Sequence, residues 1–230
     1  MLFVAHPLRE AQDKLGLPVD IYCTFTEEFN EKKPMEALNS RNWRDYNRFK
    51  DGVPVPERFR LPPKLFMVCK GLKRFAPDFF SQTPIEWIVS AQFLAFLHQH
   101  KLLEGYYEES KLAVVSTGKK PIADKQYHLL RLFRNDNELI DFDKSLKVLS
   151  SQKPLTKHTS RDVYYSDLVF REGAQIPPLF FLDDQSFWYS FICNDDIKAE
   201  MEKAQFSGFS FYSLEEYVHE RLEREKRFAR

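Results

Sequence analysis

Asp136, Asp141 and Asp143 are the residues of this 230-residue chain whose types and spacing come nearest to chemistry. Asp141 and Asp143 flank Phe142, so on an extended strand both side chains point to one face. Asp136 lies in the Asn-Asp-Asn turn just before them. Carboxylates in this arrangement could hold a divalent cation or share acid–base work, which makes a metal-dependent enzyme the rival reading of the chain. The plainer reading is preferred: acids beside a hairpin turn on a solvated face. The histidines add no ligand set. His98 and His100 are two residues apart, which on a helix aims them about 200° apart, so they cannot share a metal. No HExxH, no Gly-x-Gly-x-x-Gly, no Walker loop and no Gly-x-Ser-x-Gly elbow occurs. Cys23, Cys69 and Cys193 are odd in number, widely spaced and without a CxxC, and they read as reduced and buried. No catalytic residue, metal or cofactor is expected.

Binding is better served. The segment GYYEES puts Tyr106, Tyr107, Glu108 and Glu109 in an expected loop after a helix, and tyrosine is favoured at binding surfaces, with a core place for one of the two tyrosines as the equal alternative. Two further acid pairs, Asp183–Asp184 and Asp195–Asp196, bracket the run FWYSFIC. Asp195 and Asp196 follow a capping residue, Asn194, and are explained by the helix dipole at a few tenths to about 1 kcal/mol each. Asp183 and Asp184 end a PLFFL strand in an apparent loop with no such local reason, so they rank first as contacts. Charge is unevenly spread: residues 41–75 hold ten Lys/Arg against three acids, and residues 183–216 hold eight acids against two lysines. The plainer and preferred reading is two solvated faces of opposite sign; the functional one is a dipolar surface that orients a charged partner.

The elements that must position these residues follow from the pattern of apolar positions. Residues 1–63 carry seven prolines and read as an irregular arm with short helices, one from Pro34 to about Lys50. The arm should pack on the rest, because Phe25, Trp43, Tyr46 and Phe49 are among too many rings to leave in water. From Lys64 the chain reads as one domain to residue 230. Leu65 to Cys69 is a strand, and Ile85, Trp87 and Val89 alternate as in another. Ser90 is a helix N-cap, with Gly105 as the stop. The same solution recurs at the other end: a strand over Trp188 to Ile192, an Asn194 cap, an apolar stripe of Ile197, Met201 and Ala204, Gly208 as the stop, and a strand FSFYS. Tyr127 to Phe142 reads as a β-hairpin turning at Asn135–Asn137. Residues 150–162 are a polar loop, DLVFREG and IPPLFFLDD contain short strands, and Ser213 with Glu216 forms a capping box before a last helix. The fold class is α+β, with a mixed or antiparallel sheet, strand–cap–helix–strand units and the Pro-rich arm.

Composition limits the partners. Lys+Arg and Asp+Glu balance at 34 each, so there is no global field to draw nucleic acid directly. The opening MLFVAHPLREAQDK has too short an apolar run for a signal peptide, and no segment approaches 18 apolar residues. A cytoplasmic location and no membrane partner are expected.

Four stretches carry a resemblance: IVSAQFLAFL from Ile88, YHLLRLFRNDNELIDFDKS from Tyr127, PLFFL from Pro178 and FICNDDIKAEMEKAQFSGFSF from Phe191. Over about residues 64–213 the chain resembles the bacterial immunity proteins of polymorphic-toxin and contact-dependent inhibition systems. The resemblance implies a non-enzymatic protein that neutralises one cognate toxin encoded beside it. Its contacts are then sought at Asp183, Asp184, Tyr106, Tyr107, Glu108 and Glu109. A structural adaptor using the 213–230 helix is the third reading.

Overall fold

The computed structural model describes residues 1–7, 15–18, 21–150 and 163–228. In chain order the first strands are β1 (Leu2–His6), β2 (Cys23–Thr26), β3 (Lys64–Cys69), β4 (Phe79–Ser81), β5 (Glu86–Ser90), β6 (Tyr107–Ser116) and β7 (Tyr127–Leu132). They are followed by β8 (Leu146–Leu149), β9 (Val163–Asp167), β10 (Leu179–Phe180), β11 (Phe191–Asn194) and β12 (Ser210–Ser213). The helices are α1 (Arg48–Asp51), α2 (Ala91–Gln99), α3 (Asp195–Lys203) and α4 (Leu214–Phe228). The class is α+β, with one mixed and two antiparallel sheets. The chain forms two compact units: residues 1–6, 135–205 and 210–230 make one, and residues 7–134 and 206–209 the other.

The unit containing residues 7–134 is built on a six-stranded sheet ordered β2-β3-β6-β7-β5-β4. β3 and β6 run parallel, and the other neighbours are antiparallel. LFMVC of β3 is the continuous apolar run typical of a strand covered on both faces, and it lies inside the sheet between β2 and β6. On one face Phe25, Trp43, Leu65, Met67, Leu112 and Leu129 share a core. Trp87, of the opposite parity, meets Phe79 edge-on at 4.9 Å, and Phe79 in turn packs on Phe93 of α2. Phe206 returns to this unit and meets Phe93 at 5.0 Å.

The other unit holds a four-stranded antiparallel sheet ordered β10-β11-β1-β12 and the β8-β9 ladder. Its core joins Val4, Ile140, Phe180, Phe187, Ile192 and Tyr217. Leu214, Tyr217 and Val218 are the buried positions at the start of α4, at the spacing of one helical face. β1 and β2 both come from residues 1–63, so that segment supplies a strand to each of the larger sheets.

The caps expected from sequence are present. Ser90 Oγ accepts from Phe93 N at 3.1 Å and Asn194 Oδ1 from Ile197 N at 3.0 Å. Ser213 and Glu216 exchange both bonds of a capping box, at 2.8 and 3.2 Å. The helix stops differ. Lys101 and Gln205, at φ +54° and +56°, take the left-handed positions expected of Gly105 and Gly208. At Lys101 the two turn bonds, Lys101 N to His98 O and Leu102 N to Leu97 O, outweigh the cost of a side chain there. Gly208 has a different task. A Cβ on it would lie 1.9 Å from the carbonyl oxygen of Phe79, so only glycine permits the approach.

Three other expectations are corrected. The helix from Pro34 to Lys50 is instead a short 3-10 turn at Trp43–Asp45 and the single turn α1. The 127–142 hairpin does not form: β7 pairs with β5 and β6, while Ile140 bridges Phe170. Asp136 is engaged elsewhere: its amide donates to the carbonyl of Phe181 and its Oδ2 accepts from the Phe181 amide, rather than turning a hairpin. The strand expected from Trp188 begins only at Phe191. Of the expected loop at 150–162, residues 151–162 lie outside the described residues.

Candidate functional site

The expected contacts near Tyr106 fall on a strand rather than in a loop. GYYEES leads into β6, whose alternation splits the four residues between two faces. Glu108 is buried opposite Arg131 of β7, and Arg131 is in turn opposite Glu86 of β5. Arg131 is only 1% exposed. Its guanidinium donates to Glu108 at 3.0 Å and to Glu86 at 3.0 and 3.2 Å. The same group donates to the carbonyl oxygens of Trp43 at 3.0 Å and Phe59 at 3.1 Å. Tyr46 lies over it at 5.1 Å, and the hydroxyl of Tyr106 donates to Glu108 at 3.3 Å. Burial raises the Glu108 pKa, against the pull of Arg131 and of hydrogen bonds from Leu61, Tyr106 and Arg131. Tyr106 and Glu108 therefore brace the Pro-rich segment over the sheet. Tyr107 and Glu109 look the other way, toward His98 (ring centroids 6.1 Å apart) and His128 (2.8 Å).

Sequence reasoning missed Arg131. The available signal was its parity: Tyr127, Leu129 and Arg131 share one face of β7, and that face is core. A charge at such a position needs partners supplied by other strands.

The second expected set lies on the turn before β11, in the unit that contains β1. Asp183 is half-buried. Its amide donates to Asn137 Oδ1 at 2.9 Å, and its carbonyl accepts from Asn137 Nδ2 at 3.2 Å. Asp184 has the local explanation that sequence did not find. Its Oδ1 accepts from the amide of Ser186 at 2.8 Å and from the Ser186 hydroxyl at 2.5 Å, capping a 3-10 turn at Gln185–Phe187. Trp188 and Tyr189 follow at the surface, each 38% exposed, with Tyr189 held at φ +71°.

Beneath this turn lies a core of stacked rings whose polar groups are hydrogen-bonded. The Tyr217 hydroxyl donates to the carbonyl of Ser186 at 2.7 Å, and His6 is hydrogen-bonded to Ser190. The rings of Tyr165, Phe187 and Tyr217 stack in sequence, 6.2 and 6.1 Å apart. Burial holds the His6 pKa well below 6.5, and the cations Arg221 and Arg224 add to the effect. Farther along α4, Glu225 accepts from Tyr164 at 2.6 Å and Ser150 at 2.7 Å. Asp195 and Asp196 are exposed in the first turn of α3, as expected.

The acids of the enzyme reading are engaged separately. Asp136 Oδ2 accepts from Phe181 N at 2.8 Å. Asp141 pairs with Lys144 at 3.0 Å, and that hydrogen bond lowers its pKa. Asp143 pairs with Lys147 at 3.3 Å. Among the described residues no group of three or more His, Cys, Asp or Glu is placed to hold a metal ion. Cys23 and Cys69, widely spaced in sequence, are direct partners across β2 and β3. Burial pushes their thiols up to about 11 and about 12.

A family model described as immunity protein 43 matches residues 9–221. The chain belongs to the immunity protein 43 family. Membership supports an immunity function, and the match extends well into the Pro-rich segment, beyond the 64–213 stretch that carried the resemblance. Comparison with curated proteins gives no match. No helix of this immunity protein 43 member is long and apolar enough, among the described residues, to cross a membrane.

Proposed function

We propose that this immunity protein 43 member neutralises a cognate protein toxin in the cytoplasm by binding it, with no chemistry of its own. The turn at residues 183–190 is the contact surface. The observation that carries the site is the presentation of Trp188 and Tyr189. Both rings are part-exposed on a turn whose neighbours, Asp184, Ser186, Phe187 and Ser190, are bonded or packed below. Aromatic rings held in advance lose little entropy on docking, and Trp and Tyr are over-represented among residues that dominate binding. Asp183 and Asp184 give the turn a negative rim suited to a basic surface on the toxin. Tyr107 and Glu109 are assigned a lesser contact, while Tyr106 and Glu108 serve as supports.

The test is co-production in bacteria with the product of the neighbouring gene. Growth should be arrested by that product alone and restored by this chain. The Trp188→Ala/Tyr189→Ala variant should lose the rescue while accumulating to normal levels. Arrest that the wild-type chain fails to relieve would end the reading.

A further inference from the structure

Phe49 is 83% exposed on α1. Its segment is braced rather than loose. The side-chain oxygen of Asn47 accepts from the amide of Phe49 at 3.0 Å, and Asp51 accepts from the amide of Asn47 at 2.8 Å. The Tyr46 hydroxyl donates to the carbonyl of Gly52 at 2.9 Å, closing residues 46–52. Arg131 ties down both flanks of the stretch through Trp43 and Phe59. A mobile loop can turn a ring inward part of the time, but a braced one keeps it in water. Folding therefore gives no reason for a phenylalanine here, and Val53, 52% exposed, extends the apolar surface.

The surroundings are cationic. Residues 41–60 hold six Lys/Arg against three acids. The Arg48 guanidinium lies 5.2 Å from the Phe49 ring, and Lys50 is exposed, with no carboxylate partner among the described residues. An apolar ring with a positive rim fits an apolar pocket with a negative rim. We infer that Phe49 anchors a second contact with the toxin, in an apolar pocket of the toxin edged by carboxylates. This inference rests on the toxin-binding reading above. A protein is favoured over nucleic acid because Asp45, Asp51 and Glu57 are interspersed among the cations and would repel phosphates.

The experiment measures binding of the purified full-length chain to the toxin domain, inactivated in its own active site. Phe49→Ala should raise Kd about thirtyfold or more, mainly through faster dissociation, and Phe49→Leu should recover part of the loss. Lys50→Glu should slow association at low salt. Both positions are exposed, so the melting temperature should be unchanged. Wild-type binding with Phe49→Ala unaltered overturns the inference and leaves the toxin reading standing. Failure of the wild-type chain to bind removes both. Two further results would also overturn it: a dimer of this chain dissolved by Phe49→Ala, or binding of a single-stranded RNA oligomer lost in that variant.

Discussion

Arg131 donates to the carbonyl oxygen of Trp43 at 3.0 Å, joining a core strand to a residue 88 positions earlier in the chain. Two glutamates and two carbonyls share one guanidinium here, and loss of the arginine would leave the carbonyls of Trp43 and Phe59 without this donor and the buried Glu108 without its counter-charge. Arg131→Ala should therefore cost about 3–5 kcal/mol, the range for breaking a buried ion pair. Glu108→Gln keeps a hydrogen-bonding oxygen and should cost less. Urea denaturation of both variants gives the order, and equal small losses would show that the charge is not buried as described.

His6 makes stability depend on pH in a stated direction. The unfolded histidine titrates near 6.5 while the folded one titrates well below it. Between those values the unfolded chain binds a proton that the folded chain refuses, so stability falls as pH drops below about 6.5 and is unaffected above it. The slope for one such group is at most about 1.4 kcal/mol per pH unit. The groups facing His6 are Ser190 and Tyr217, with Arg221 and Arg224 from α4. Urea midpoints at pH 7.5, 6.5 and 5.5 should decline for the wild-type chain and decline less for His6→Gln. Parallel lines for the two proteins would contradict this.

Much of the local structure was legible in sequence because its causes are local. Ser90, Asn194 and the Ser213–Glu216 pair sit beside the helices they start, and each forms the expected bonds. The apolar run of β3 was equally plain. Partners distant in sequence were not. β7 looked like half of a hairpin because turn residues follow it, yet its neighbours are β5 and β6. Arg131 looked like one charge among apolar neighbours, since Glu86, Glu108, Trp43 and Phe59 reach it only after the sheet has assembled. Asp184 looked unexplained because its cap serves a three-residue 3-10 turn, too short to leave a periodic signal.

Residues 1–63 are proposed to fold with the rest rather than to hang from it. β1 pairs with both β11 and β12, and β2 pairs with β3. A chain beginning at Lys64 would expose the edges of both neighbours of β1 and leave Arg131 without Trp43 and Phe59. It should be insoluble or melt well below the full-length chain. An unchanged melting temperature would make the segment a separate appendage.

The central claim is that the 183–190 turn docks on a toxin. Its most direct test is association and dissociation of the full-length chain with the inactivated toxin domain at low and high salt. Trp188→Ala with Tyr189→Ala should weaken binding by about thirtyfold or more through faster dissociation. Asp183→Lys should slow association at low salt, with the difference closing as salt rises. Asp184→Asn, which removes the charge but can still cap the turn, should slow association without loss of stability. Rates unchanged in all three variants, with the wild-type chain binding tightly, would place the contact elsewhere and contradict the account.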